Sequence, residues 1–81
     1  MDPMEQIIKD ALIASERPFI TDYGGGNPSG LDFRLVKLGI EIEVKRFHSP
    51  RISAQMAKAD NVIAAQGEDA VRFLADLLRK D

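Results

Sequence analysis

Apolar residues in the first segment recur with a helical period. Met4, Ile7, Ile8, Ala11 and Leu12 fall on one face of a repeat of about 3.6 residues. Asp2 stands at the N-cap position, Pro3 at the first helical position and Glu5 two residues further on. The helix is expected to run to Ser15. Pro18 separates it from a short extended run over residues 19–21. Asp22, Tyr23, three consecutive glycines, Asn27, Pro28, Ser29 and Gly30 then form a loop. The period changes after Gly30. Residues 31–36 and 40–46 alternate apolar and polar positions and read as strands. Lys37, Leu38 and Gly39 are a short connection, so the two strands are expected to form a hairpin.

Ser49 and Pro50 repeat the N-cap and first-position signature. The helix after them carries Ile52, Met56 and Ala59 at core spacing and ends at Asp60 and Asn61. Residues 62–65 are a short apolar run, expected as a buried strand. Gly67 breaks the chain. A last helix is expected over residues 68–80, with Ala70, Phe73, Leu74, Leu77 and Leu78 as its apolar face. The order is therefore α-β-β-β-α-β-α. The third strand, the helix after it and the fourth strand form a βαβ unit, which implies a parallel pair with a right-handed crossover. The expected fold class is α/β, in the α+β sense of a four-stranded mixed sheet flanked by helices. Residues 1–81 read as a single domain without repeat, low-complexity tail or linker.

Composition narrows the chemistry. A domain of 81 residues buries only about 60% of its unfolded surface, so modest stability is expected. The absence of cysteine excludes a disulfide framework and a thiolate metal site. One histidine excludes a histidine-rich cluster. No basic leader followed by an apolar run opens the chain, and no apolar stretch approaches the roughly 20 residues of a membrane span. A cytoplasmic protein with no membrane partner is expected. The net charge of −2 hides an uneven distribution. Residues 34–58 hold six basic and two acidic side chains, whereas the flanking segments are acidic. A local positive field can steer a polyanion; on charge alone, a solvated face of mixed charge is the simpler reading.

The hairpin carries the candidate chemistry. With the turn centred between Lys37 and Leu38, Asp32 falls opposite Glu43. Glu43 and Lys45 are two apart and leave the same face of the strand. Carboxylates about 5 Å apart repel by roughly 3 kcal/mol at an effective dielectric of 20. A divalent cation removes that repulsion, since hard cations prefer carboxylate oxygens and retained water. Such a metal can polarise a phosphoryl oxygen, and Lys45 can orient or deprotonate a nucleophile and stabilise developing charge. The combination suits phosphodiester hydrolysis. The bland alternative is an exposed strand with alternating charges, and a bulge or odd turn would send Asp32 to the other face.

These residues also carry a resemblance. Gly30-Leu31-Asp32-Phe33, followed after a turn by Ile42-Glu43-Val44-Lys45, resembles the signature of the PD-(D/E)XK nuclease superfamily. The chain is most similar to the small stand-alone VRR-NUC domains, found in phages and within DNA-repair nucleases. Glu5 early in the first helix, the glycine-bearing loop from Gly26 to Gly30, Glu43-Val44-Lys45 and Ser53-Ala54-Gln55 match that pattern in order and spacing over nearly the whole chain. Each motif alone is weak. The resemblance implies a restriction-endonuclease-like core and a Mg²⁺- or Mn²⁺-dependent endonuclease acting on DNA, with junctions or flaps as candidate substrates. It implies that Asp32, Glu43 and the backbone carbonyl of Val44 bind the metal, with Glu5 as a further candidate ligand. It implies that Lys45 handles the attacking water, that Gln55 supports the site, and that the domain forms a homodimer. Leu31 departs from the proline of the signature, and the shortness of the chain puts a self-sufficient DNA surface in doubt.

Arg51, Gln55 and Lys58 share one flank of the second helix, and with Arg34, Arg46 and His48 they are candidates for nucleic-acid contacts; solvation explains them equally well. His48 is a loop or DNA-contacting residue before it is an acid or base. Gly24, Gly25 and Gly26 lack the Gly-Lys-Ser/Thr that a phosphate-cradling loop requires and read as a lip of the site. Tyr23 and Phe47 could stack on bases, though packing is the simpler role. The helix cap is the simpler role for Glu5, and Met56 is expected in the core. Two other functions stay open: a non-catalytic nucleic-acid-binding or protein-interaction module on the same fold, and a regulatory protein that binds a partner through its acidic first third.

Overall fold

A computed structural model describes residues 2–46 and 51–80. Helix α1 spans Pro3–Ala14. Asp2 caps it, its Oδ1 accepting the Met4 N–H at 2.7 Å, while Pro3 supplies a backbone angle suited to the first turn. Met4, Ile8, Ala11 and Leu12 are its buried face. Strands β1 (Phe19–Thr21), β2 (Phe33–Leu35) and β3 (Ile40–Lys45) follow, then α2 (Ile52–Met56), β4 (Val62–Gln66) and α3 (Glu68–Arg79). The element order is the α-β-β-β-α-β-α expected.

The strands form one four-stranded sheet in the order β1-β2-β3-β4. The first two pairs are antiparallel and β3 pairs with β4 in parallel, so the sheet is mixed. Residues 36–39 turn β2 into β3. Gly39 takes a positive φ of 69°, which glycine adopts without a Cβ penalty, and its N–H bonds to the Leu35 carbonyl at 2.9 Å. Phe33 then faces Ile42, Arg34 faces Glu41 and Leu35 faces Ile40. This is the register that the hairpin pattern predicts.

Alternation divides the sheet into two surfaces. Phe33, Leu35, Ile42, Val44 and Ala65 join Met4, Ile8, Ala11 and Leu12 of α1 and Val71 and Ala75 of α3 in one core. Phe19 and Phe33 add an edge-to-face ring contact, with centroids 6.3 Å apart. The opposite surface carries Arg34, Glu41, Glu43 and Lys45.

The elements depart from their expected form in several places. Strand β2 is shorter than residues 31–36. Helix α2 has only five residues and ends before Asp60 and Asn61. Its expected cap, Ser49-Pro50, lies outside the described residues. Met56, expected in the core, is 42% exposed, because a helix this short buries little beyond Ile52. Residues 62–65, expected as a buried strand, belong to an edge strand in which only Ala65 is buried. Helix α3 is rotated from its expected face. Val71 and Ala75, one turn apart, are buried, while Leu74 and Leu78 flank them and Phe73 is 66% exposed. Small side chains at the contact let α3 approach α1 closely, and the bulkier Phe73 and Leu77 turn outward.

Leu12→Ala is expected to cost about 2–5 kcal/mol and Phe33→Ala about 3–5 kcal/mol. Against a total of about 5–15 kcal/mol for a domain, either change removes much of the folded population. Phe73→Ser is expected to change stability by about 0.5 kcal/mol or less. Urea unfolding followed by circular dichroism checks all three; a large loss from Phe73→Ser would contradict the packing of α3.

Candidate functional site

The loop between β1 and β2 is fastened to the polar surface of the sheet. Gly26 passes so close to β1 that a Cβ there would lie 2.8 Å from the Thr21 carbonyl oxygen. Asn27 is buried and donates through Nδ2 to the Leu31 carbonyl and to Glu41 Oε1, each at 2.9 Å. The Ser29 hydroxyl donates to the same Glu41 oxygen and accepts the Leu31 N–H at 3.2 Å. Glu41, itself only 3% exposed, thus anchors the chain just before Asp32.

Asp32 follows directly. It precedes β2 by one residue and continues the register opposite Glu43. The two residues bond across the strands through side chain and backbone. The Asp32 N–H donates to Glu43 Oε1 at 3.1 Å, and the Val44 N–H donates to Asp32 Oδ2 at 2.7 Å. The carboxylates occupy positions that main-chain carbonyls fill further along the ladder. Lys45 leaves the same face, its Nζ 3.5 Å from Glu43 Oε2. Glu43 is almost fully buried. The first turn of α1 brings Glu5 to this end of the sheet, close enough for its carboxyl to interact electrostatically with those of Asp32 and Glu43. The side chain of Val44 lies in the core, so only its backbone is offered to this group.

The electrostatics follow from the crowding. Burial raises the Asp32 carboxyl above its ordinary range and the charge of Glu5 adds to the rise, while the Val44 N–H, Glu43 and Lys45 oppose it. Burial, then the charge of Asp32, raises Glu43 against the pull of the Asp32 N–H and Lys45. Glu5 is raised by burial, then by Asp2 and Glu43. Neighbouring carboxylates disfavour each other's charge, which a proton on one of them or a nearby cation relieves. Among the described residues no group of three or more histidine, cysteine, aspartate or glutamate side chains is arranged to hold a metal ion. Mg²⁺ does not require such a cage, because it usually takes one or two carboxylates and keeps several waters. The all-oxygen character of Asp32, Glu43 and the Val44 backbone fits a hard cation.

Not every expected residue joins this group. Arg34 and Lys58 border a cleft of about 510 Å³ on the same face, with Ser29, Glu41 and Asn61. Arg46 and Arg51 are exposed. His48 and Phe47 lie outside the described residues. Tyr23 is exposed at the loop tip. Gln55 lies on α2 with its side-chain oxygen buried and unpartnered. Asn27, Ser29 and Glu41 were not singled out from the sequence. A signal was present: Glu41 shares the face of Glu43, and a carboxylate there needs donors from a nearby loop. No family model, curated protein or solved structure matches the chain. No helix among the described residues is long and apolar enough to cross a membrane.

A carboxyl whose folded-state pKa is raised contributes stability that is fully present below its unfolded-state pKa and is lost as pH rises through the folded-state value. In metal-free protein, Asp32→Asn is therefore expected to melt higher than the parent at pH 7, by about 4–8 °C per kcal/mol in a domain of this size. The difference should shrink as pH falls through the raised folded-state value and vanish below the unfolded-state pKa of about 3.9, where the carboxyl is protonated in both states. Thermal unfolding in chelator across this range checks the sign; a less stable variant at pH 7 would contradict it.

Proposed function

We propose that this domain is a divalent-metal-dependent nuclease that hydrolyses DNA phosphodiester bonds. The observation that carries the reading is the cross-strand pairing of Asp32 with Glu43, each bound to a backbone N–H of the other strand, with the Lys45 ammonium 3.5 Å from Glu43. Three neighbouring carboxyl groups and one ammonium leave excess negative charge that a hard cation answers. Asp32, Glu43 and the Val44 carbonyl would hold Mg²⁺ or Mn²⁺, with Glu5 beside them. When bound, the ion supplies Lewis-acid polarisation of a phosphoryl oxygen and a more acidic water.

The chain's own residues do the rest. Lys45 donates to the attacking water and to the charge that builds on the phosphoryl oxygens. Glu43 keeps the ammonium at the site. Arg34 and Lys58 line the neighbouring cleft and, with Arg46, offer cations to adjacent phosphates. In the reaction the water oxygen bonds to phosphorus as the bond from phosphorus to the leaving sugar oxygen breaks. The water proton passes to solvent and the leaving oxygen takes up another. The resemblance to small VRR-NUC domains supports the same reading and adds junction or flap DNA as a candidate substrate. It also suggests a homodimer, which would double the cationic surface of so short a chain.

Titration of the domain with Mg²⁺, followed by NMR, is expected to move the signals of Asp32, Glu43 and Val44. Plasmid and junction DNA should be cleaved in the same buffer. Lys45→Ala should lower cleavage about a hundredfold or more while keeping the metal shifts, and Asp32→Asn should lose both. Metal shifts without cleavage would favour the non-catalytic binding module. Neither shifts nor cleavage at millimolar metal would overturn the nuclease reading.

A further inference from the structure

Helix α3 carries a stripe that the fold leaves uncovered. Asp69, Phe73, Leu77 and the C-cap Lys80 follow one another at four, four and three residues, so they lie in one line along the helix. All four are exposed, Phe73 to 66% and Leu77 to 47%. Arg72, Ala75, Asp76 and Arg79 border a cleft with Ile7 of α1, so the stripe lies on the flank turned away from α1. The charges on the α1 side pair within the helix, Arg72 with Glu68 at 3.0 Å and Arg79 with Asp76 at 3.9 Å. The side chains of Asp69 and Lys80 form no ion pair with a described residue.

The free edge of the sheet borders this flank. Strand β4 is last in the order, and among the described residues no strand pairs with its outer edge. Val62–Gln66 holds no charge and no proline, the devices that commonly keep such an edge from pairing. Ile63 pairs with Ile42 of the core and so points to the side that α3 covers, yet it is 41% exposed. From Gly67, α3 folds back along β4. The midpoint of the stripe, near Ala75, is about 12 Å from that turn at 1.5 Å per residue. Ile63 is about 13 Å from it at 3.3 Å per residue. The two are level.

We propose that this surface pairs with a second copy of the chain about a two-fold axis beside Ile63. Along α3 the stripe runs acid, apolar, apolar, base, and an antiparallel copy runs base, apolar, apolar, acid. Antiparallel helices therefore set Asp69 beside the partner's Lys80 and Phe73 beside the partner's Leu77, each contact occurring twice, as an isologous interface requires. The same axis brings the two β4 edges together antiparallel, where their backbone N–H and carbonyl groups pair. Because the pattern complements itself, its occupant is a second copy and not an unrelated chain. The axis stands normal to the sheet, so both copies turn Asp32, Glu43 and Lys45 to the same side. The surface stands on α3 and β4 alone and is independent of the nuclease reading.

Sedimentation equilibrium of the full chain at micromolar concentrations tests the pairing. The parent should approach the mass of two 9.0 kDa chains as concentration rises. Phe73→Ser should raise the dissociation constant about tenfold or more. Asp69→Lys and Lys80→Asp each set like charges together and should each raise it about threefold or more. The double exchange restores opposite charges and should return it to within about twofold of the parent. Circular dichroism, at a dilution where the parent is monomeric, checks that each variant keeps the parent's fold. A parent that stays monomeric throughout would overturn the proposal and leave the stripe to a different partner. A dimer that neither Phe73→Ser nor the charge reversals weaken forms elsewhere, and would overturn the assignment of this surface.

Discussion

Because side chains alternate along a strand, a slip of one residue between β2 and β3 would turn Phe33 out of the core and Asp32 away from Glu43 together. The packing of the protein and its candidate chemistry therefore share one register. Apolar burial of Phe33, Leu35 and Ile42 fixes it from one side of the sheet, and the turn at Gly39 fixes it from one end. At the other end the main-chain ladder gives way to the carboxylates of Asp32 and Glu43. Strand β3 is the spine of this arrangement. Glu41 fastens the loop, Glu43 receives the amide of Asp32, and the Lys45 carbonyl receives the start of α3.

The two faces of the sheet have opposite physics. The face against α1 and α3 contributes the cohesion of a small domain. The other face crowds acids whose burial and mutual repulsion oppose the charged state. Apolar side chains at these positions would make a more stable sheet. A small domain tolerates such a patch because the backbone amides of Asp32 and Val44 each stabilise a carboxylate, and because the unfavourable charges sit at one end of the strands, clear of the main core. The arrangement concentrates the unfavourable electrostatics at one place, where a ligand can relieve them.

Much of this was legible in the sequence, for local reasons. Asp2-Pro3 and the spacing of Met4, Ile8, Ala11 and Leu12 describe α1, because capping and helical period act over a few residues. Alternation and a short connection describe the hairpin and bring Asp32 to Glu43. What was not legible depends on approach between distant segments. The face of α3 is chosen by how closely Val71 and Ala75 can meet α1, which favours small residues over the more hydrophobic Phe73. Met56 is exposed because α2 is short. Val62 to Ala65 read as buried, yet the strand's place at the sheet edge leaves Ile63 half in solvent. Glu41 looked like an ordinary exposed charge until the loop folded over it.

The loop from Asp22 to Gly30 is held at both ends and open at its tip; the Asp22 N–H donates to the Asp32 carbonyl at 3.1 Å. Asn27 and Ser29 clamp its second half to Glu41, while added side chains at Gly24 and Gly25 would meet nothing within 4 Å. Doubling the length of a flexible loop costs only about 0.6 kcal/mol in closure entropy. Insertions at the Tyr23–Gly25 tip would therefore leave the β2–β3 register intact while changing what overhangs the acidic face. Here the molecule separates two kinds of substitution: changes in the clamp reach the pairing of Asp32 with Glu43, and changes at the tip do not.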